Sequence, residues 1–455
     1  MKHSLLVHKA AGPALSNGKA LGRRRFLRMG AAAAAGGVVG CSRRGEGPAA
    51  PPEGPRAWHL SELAPPPEWS RLDGWQGQVR GSEFRRLLET VSTDGAGFWS
   101  ALELREDRAL IRTSTAEEGA ERYALRFAAE AGAGPAARGE GPAARYWRRA
   151  GEMGRSPGRP LEGVHIALDA GHLGGRWAQM EARWYRVGSS PAVMEGELTL
   201  QTARRLRGLL EAGGARVSLV RETAEPLTAQ EPTALRGAAL ASLVAGQGTG
   251  VVFREEQIRR EAERLFYRTS EIRARGQRVN EVLRPDLVVC LHFNAEDWGG
   301  DAGQPVFSGR NHLHVLAHGC LSGAEFALDD QRFDTLLRLV QGVPDEEIRL
   351  CDAVARHLAR ATGLPAYSYL GKNARRVSDN PYVWARNLLA NRVYHCPVVF
   401  TEPYVMNHAE VFARLQAGDY EGEREVAGRR GPSLFREYAQ GVADGLAAAL
   451  EAGRA

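Results

Sequence analysis

Of 455 residues, those from 161 onward suffice for one large domain with insertions. The formal net charge of +6 is no argument for a nucleic-acid partner, because residues 1–40 hold seven Lys or Arg and no Asp or Glu, which leaves −1 for the rest. The five cysteines show no CxxC spacing, which argues against a cysteine-based zinc site.

The first 40 residues read as an export signal. Arg23-Arg24-Arg25-Phe26-Leu27-Arg28 precedes an Ala- and Gly-rich apolar run ending Val38-Val39-Gly40-Cys41. Twin arginines before a weakly hydrophobic stretch mark the bacterial twin-arginine route, and the run is too short to stay as a membrane-spanning helix. Val-Val-Gly-Cys resembles a lipobox, in which Cys41 is acylated and tied to a membrane. Ser42 fits, by resemblance to lipoproteins, the outer rather than the inner membrane, so a periplasmic, lipid-anchored protein is expected.

Residues 41–68, rich in Pro, Gly, Ala and charge, read as a tether. Residues 69–129 read as a small α+β accessory unit: Ser82-Glu83 opens a helix with Phe84, Leu87 and Leu88. A hairpin around Glu106-Asp107 and a third strand over 123–127 follow. Residues 130–160 are a second linker, and 161–455 form the main domain.

In that domain, strand signals alternate with helix signals. Val164–Leu168, Arg216–Val220, Leu287–Leu291, Leu313–Leu316 and Val398–Thr401 read as strands. Leu198, Thr202, Leu206, Leu209 and Leu210 recur at helical spacing until Gly213-Gly214. Residues 346–362 and the stripe Phe435, Tyr438, Val442, Leu446 predict two more helices. The order implies an α/β fold: a mostly parallel sheet with helices on both faces. Cys290 falls in a strand pattern and is expected to pack as a small hydrophobe, and the Arg/Glu-rich stretch 254–264 reads as a solvated face.

Ligands of such sheets sit beyond the carboxyl ends of the strands. His172 lies in the glycine-rich loop Gly171-His172-Leu173-Gly174-Gly175 after the first strand, His292 ends the Leu287–Leu291 strand, and Glu402 ends the Val398–Thr401 strand. Glu195 opens the first long helix. Two imidazoles and a carboxylate make a three-ligand zinc site that keeps a position for water. A further carboxylate, Glu402, would then move the water's proton to the leaving nitrogen. Glu197 is a rival to Glu195 as ligand. His312 and His314 alternate on a strand and read as structure rather than ligands. Arg275 reads as a brace.

These residues resemble the motifs of the zinc-dependent N-acetylmuramoyl-L-alanine amidases of the Amidase_3 family. The strand–Asp-Pro-Gly-His-Gly-Gly loop of that family corresponds to Leu168–Gly175, its Glu-Lys-x-hydrophobic-x-Leu helix start to Glu195–Leu200, and its Ser-Ile-His-Ala-Asn to Cys290–Asn294. The closing hydrophobic-Glu motif corresponds to Thr401–Asn407, and Arg275 and Asn280 keep the family's spacing. The resemblance implies zinc bound by His172, Glu195 and His292, Glu402 as catalytic residue, and peptidoglycan as substrate. The reaction would be hydrolysis of the amide between N-acetylmuramic acid and L-alanine of the stem peptide. A zinc carboxypeptidase acting on stem peptides and a non-catalytic cell-wall-binding lipoprotein are the rival readings.

The departures carry expectations of their own. Ala170 and Leu173 replace a proline and a glycine, which would loosen the first loop, and Phe293 beside His292 would narrow the cleft. Insertions over about 224–270 and 321–345 exceed a minimal catalytic domain. In regulated relatives an inserted helix covers the zinc, so either insertion is a candidate lid and a protein activator a candidate partner.

Overall fold

The computed structural model describes residues 58–95, 97–130, 145–154, 156–248, 250–298 and 306–454. The export signal, Cys41, most of the tether and residues 131–144 of the second linker lie outside them.

The N-terminal unit contains helix α1 (Gly81–Leu87) and three strands, β1 (Leu102–Leu104), β2 (Arg108–Arg112) and β3 (Arg122–Arg126), paired antiparallel in that order. The main domain is built on β4 (His165–Ala170), β5 (Arg216–Leu219), β6 (Leu287–Leu291), β7 (Leu313–Ala317), β8 (Arg375–Arg376), β9 (Val383–Ala385) and β10 (Val398–Pro403). Their order in the sheet is β8-β9-β7-β10-β6-β4-β5. Strands β5, β4, β6 and β10 are mutually parallel, whereas β7 runs against β10. Sequence patterning located the long strands but not the short β8 and β9, which have too few residues to show a period.

Both faces of the sheet are covered, as the near-continuous apolar strands require. Ile166, Leu168, Val289, Leu291, Val315 and Val399 point to one core shared with α2 (Glu195–Ala212), α7 (Val343–Thr362) and α8 (Leu434–Gly453). The alternate residues Ala167, Val288, Cys290, Leu316, Val398 and Phe400 point to the other, where Val279 and Tyr394 pack with Ile272 and Leu389. Each fully buried Val, Leu or Phe side chain contributes roughly 1.5–3 kcal/mol through removal from water. The stripe Leu350, Val354, Leu358 lines the buried side of α7 at helical spacing. Among the described residues, Cys290, Cys320, Cys351 and Cys396 are free and buried, and Cys290 packs as a small hydrophobe.

The two insertions take different positions. Residues 321–345 supply α6 (Asp329–Val340), whose Phe333, Leu336, Leu337 and Val340 join Leu321 and Phe326 in one core with Trp69, Leu72, Phe84, Leu88, Phe98 and Leu125. This insertion is therefore the seat of the N-terminal unit. Asp329 locks the contact: it is fully buried, pairs with Arg332, and accepts hydrogen bonds from the backbone N–H groups of His59 (3.1 Å) and Thr115 (3.0 Å).

Residues 224–270 form the helices α3 (Arg236–Gln247) and α4 (Glu255–Leu265), and α5 (Glu271–Gln277) follows. One side of α4 carries the expected exposed ion pairs, Arg259–Glu263 and Arg260–Glu256. Its other side buries Ile258, Ala262 and Leu265 with Leu235, Phe266, Trp177 and Leu173. The leucine that replaces a glycine in the first loop thus plugs the core of this insertion and anchors the loop instead of loosening it. Among the described residues, no helix is long and apolar enough to cross a membrane.

Candidate metal centre

Strand direction assembles the site. β4, β6 and β10 end at one edge of the sheet, and parallel register sets Leu291 opposite Thr401 and Ala170 opposite Leu291. Gly171, His292 and Glu402 are each the next residue on, so they stand level. The chain between β6 and β7 returns without a described crossover helix, so β7 begins where β6 ends and must run antiparallel. Its start, with His312 just before it and His314 within it, therefore shares the edge with the strand ends.

His172 sits just past β4 with a left-handed backbone (φ 58°), a conformation that costs a non-glycine residue of order 1 kcal/mol or more. Two buried guanidiniums hold the loop there. Arg275 donates to the carbonyls of Ala170 (2.9 Å) and His172 (3.2 Å), and Arg221 to those of Ala170 (2.8 Å), Gly171 (3.2 Å) and Gly196 (2.7 Å). Asp169 anchors Arg275 at 2.9 Å and accepts from the Tyr394 hydroxyl at 2.6 Å. Arg275 is thus the brace the sequence suggested.

The three candidate ligands converge. One donor atom each from His172, Glu195 and His292 lies within 4.8 Å of the other two, the single such group of three or more among the described residues. Glu195 Oε1 faces His172 Nε2 at 3.5 Å and His292 Nδ1 at 3.4 Å, and accepts from the Phe293 N–H at 3.1 Å. The imidazole rings stand nearly perpendicular, 5.1 Å apart, and that of His292 stacks on Phe400. Glu195 begins α2 and is buried, whereas Glu197 turns away and accepts from the Gly175 N–H at 3.0 Å. Helix α2 approaches the loop closely enough that a Cβ at Gly196 would lie 2.2 Å from the Leu173 carbonyl.

Two residues that the sequence did not single out complete the surroundings. Glu181 accepts from His172 Nδ1 and from the Leu173 N–H, each at 3.0 Å, which fixes the ring so that Nε2 points to Glu195. Burial pushes the Glu181 carboxyl up to about 7. Arg183 stands 3.3 Å from Glu195 Oε2. Nothing periodic marks either residue, since both lie in irregular chain after the loop.

The donor set suits zinc. Burial holds the His172 imidazole well below its ordinary pKa, in the neutral form that ligation requires. Glu195 Oε1 faces a ring nitrogen of each histidine, so a carboxylate oxygen and two imidazoles already surround one point, the donor set that a zinc ion takes. Neither insertion seals the site: the side chains of His172 and Glu402 keep 22% and 21% of their exposure. Phe293 does not narrow the cleft, because its side chain alternates to the opposite face and is buried against Tyr404 and Tyr438.

Glu402 stands directly across from His314 of β7 and is hydrogen-bonded to its Nε2. Burial raises the Glu402 carboxyl pKa, but His314, His292 and Arg386 outweigh it and hold the group down at about 2. The Tyr438 hydroxyl ties the strand ends together, bonding the carbonyls of His292 and Thr401 at 3.1 Å each.

The model of the family described as N-acetylmuramoyl-L-alanine amidase matches residues 166–427. The chain belongs to that amidase family. The match begins in β4 and ends beyond β10, so it spans all four residues of the candidate site. No curated protein matches the chain. Among solved structures, the chain is similar to the N-acetylmuramyl-L-alanine amidase Ami1 from Mycobacterium smegmatis, with 18% identity, 64% of this chain and 99% of that one covered, and a TM-score of 0.36. It is also similar to the CwlD amidase from Clostridioides difficile, solved in complex with the GerS lipoprotein (16% identity, 64% and 99% covered, TM-score 0.35). A third is the amidase AmiC2 of Nostoc punctiforme (13% identity, 63% and 94% covered, TM-score 0.29).

Proposed function

We propose that this amidase hydrolyses the bond between the lactyl group of N-acetylmuramic acid and the L-alanine of the stem peptide, with His172, Glu195 and His292 holding one zinc ion. The convergence of those three donors at the strand ends carries the reading. Zinc supplies a Lewis acid that polarises the scissile carbonyl and brings the pKa of a water toward neutrality. Glu181 keeps the His172 ring in one tautomer, and Arg183 balances the charge of Glu195. Glu402, ionised and open to solvent on one side, takes the proton of the attacking water. It delivers that proton to the nitrogen as the carbon–nitrogen bond breaks.

The surrounding biology is part of the same proposal. Export by the twin-arginine route, acylation of Cys41 and a periplasmic, membrane-tethered position all follow from the N-terminal motifs. Peptidoglycan is the partner the family implies, and a protein activator is a further proposed partner.

Metal analysis of the purified chain, with mass spectrometry of products from purified sacculi, tests the core of it. One zinc per chain and intact stem peptides with a free L-alanine amine are expected. Stems trimmed at their far end would instead indicate a carboxypeptidase, and untouched sacculi with no bound metal a wall-binding protein.

A further inference from the structure

Resting on the amidase reading of the site, we infer that His314 is a positioning residue for the reaction: its Nε2–H holds the Glu402 carboxylate in the orientation that proton transfer needs.

The antiparallel course of β7 makes His314 and Glu402 a directly opposed pair. Side chains so placed leave the sheet on the same face about 5 Å apart at their Cβ atoms, within reach of a hydrogen bond. The His314 ring is 2% exposed and clamped between Tyr367 (5.1 Å) and Tyr369 (5.5 Å), whose hydroxyl lies 3.3 Å from the same Nε2. Among the described residues, its buried Nδ1 has no hydrogen-bond partner. An imidazole that only filled space would be replaced at lower cost by an apolar ring, because a buried unpaired nitrogen is destabilising. Among the described residues, the hydrogen bonds of this ring go to Glu402 and Tyr369.

The arrangement parallels the way a carboxylate orients a histidine in a catalytic triad, with the roles exchanged. Glu402 accepts a proton from the attacking water while the oxygen–carbon bond forms, and gives it up to the leaving nitrogen when the carbon–nitrogen bond breaks. His314 keeps its own proton throughout, so the step balances without any other reactant. The charged and titratable groups around the pair include His292, just past β6, and His312, just before β7, which meets Glu296 (2.8 Å), itself paired with Arg310. Tyr367, Tyr369, Tyr438 and Arg386 also face it. His312 repeats the histidine–glutamate pairing two residues away but faces Glu296, so of the two it is His314 that meets Glu402.

The test uses the full zinc-loaded chain acting on purified sacculi, with His314→Ala and His314→Gln compared across pH. His314→Ala is expected to lower kcat about 10- to 100-fold with KM unchanged. It should also move the acid limb of the rate profile to higher pH, because burial of Glu402 is then unopposed by the histidine. His314→Gln, whose amide can donate the same hydrogen bond, is expected to recover part of kcat. A folded alanine variant with wild-type kcat and an unmoved acid limb would overturn the inference, as would a folded glutamine variant no faster than alanine. Should the alanine variant fail to fold, the glutamine variant decides alone: a raised acid limb with reduced kcat supports the role, and a wild-type profile defeats it. If the unaltered chain releases no stem peptide, the amidase reading fails instead, and the same assay shows which.

Discussion

The imidazole of His292 fills the space that a side chain at Gly171 would need. A Cβ there would stand 2.3 Å from Cε1 of that ring and 2.5 Å from its Nε2, well inside contact distance. The glycine of the first loop is thus a condition for the second histidine to reach the centre, two strands being packed too closely for anything larger. Gly171→Ala should push the His292 ring aside and weaken metal binding by about 10- to 100-fold. Competition with a chelating dye measures this, with circular dichroism showing that the fold is kept. Wild-type affinity in the variant would mean that the ring has room to move.

Glu402→Gln is expected to retain zinc and lose activity. General-base assistance contributes roughly a hundred- to ten-thousand-fold, and the amide cannot accept a proton under these conditions. Metal content and stem-peptide release, measured on one preparation, separate the two effects. Sacculi digested at the unaltered rate would remove Glu402 from the mechanism.

Acid stability should depend on Asp169. Burial raises the pKa of its carboxyl, but Arg275 and the Tyr394 hydroxyl outweigh it, so the folded value lies below the ordinary one. A depressed folded pKa contributes stability above the unfolded value, which is lost as pH falls through the folded one. Urea unfolding at stepped pH should therefore show stability declining from about pH 4 downward. Asp169→Asn should flatten that decline while lowering stability at neutral pH, because Arg275 loses its partner. An unchanged acid slope in the variant would contradict the assignment.

Asp329 tests whether the N-terminal unit is integral. It is buried, ion-paired with Arg332 and bonded to the chain at His59 and Thr115. Removing one partner of a buried pair strands the other charge and costs about 3–5 kcal/mol. Asp329→Ala should reduce unfolding stability by that order and expose residues 58–126 to proteolysis. A loss below about 1 kcal/mol would indicate a loosely attached unit.

The sequence by itself determined the elements and the donors. Apolar runs at Leu287–Leu291 and Val398–Thr401 and the stripes of α2, α7 and α8 follow from burial, which any fold of this class imposes locally. The four site residues stood out because each ends a strand or opens a helix at a family motif. What the tertiary structure alone decided is pairing across distance. Strand direction is not written in composition, so nothing in Asn311-His312-Leu313-His314 tells that β7 runs backward and sets His314 against Glu402. The same holds for Glu181 on His172, for Phe293 facing away from the cleft, and for the 321–345 insertion seating the N-terminal unit. Each depends on which surfaces meet once the sheet closes, a non-local packing outcome that local periodicity does not encode.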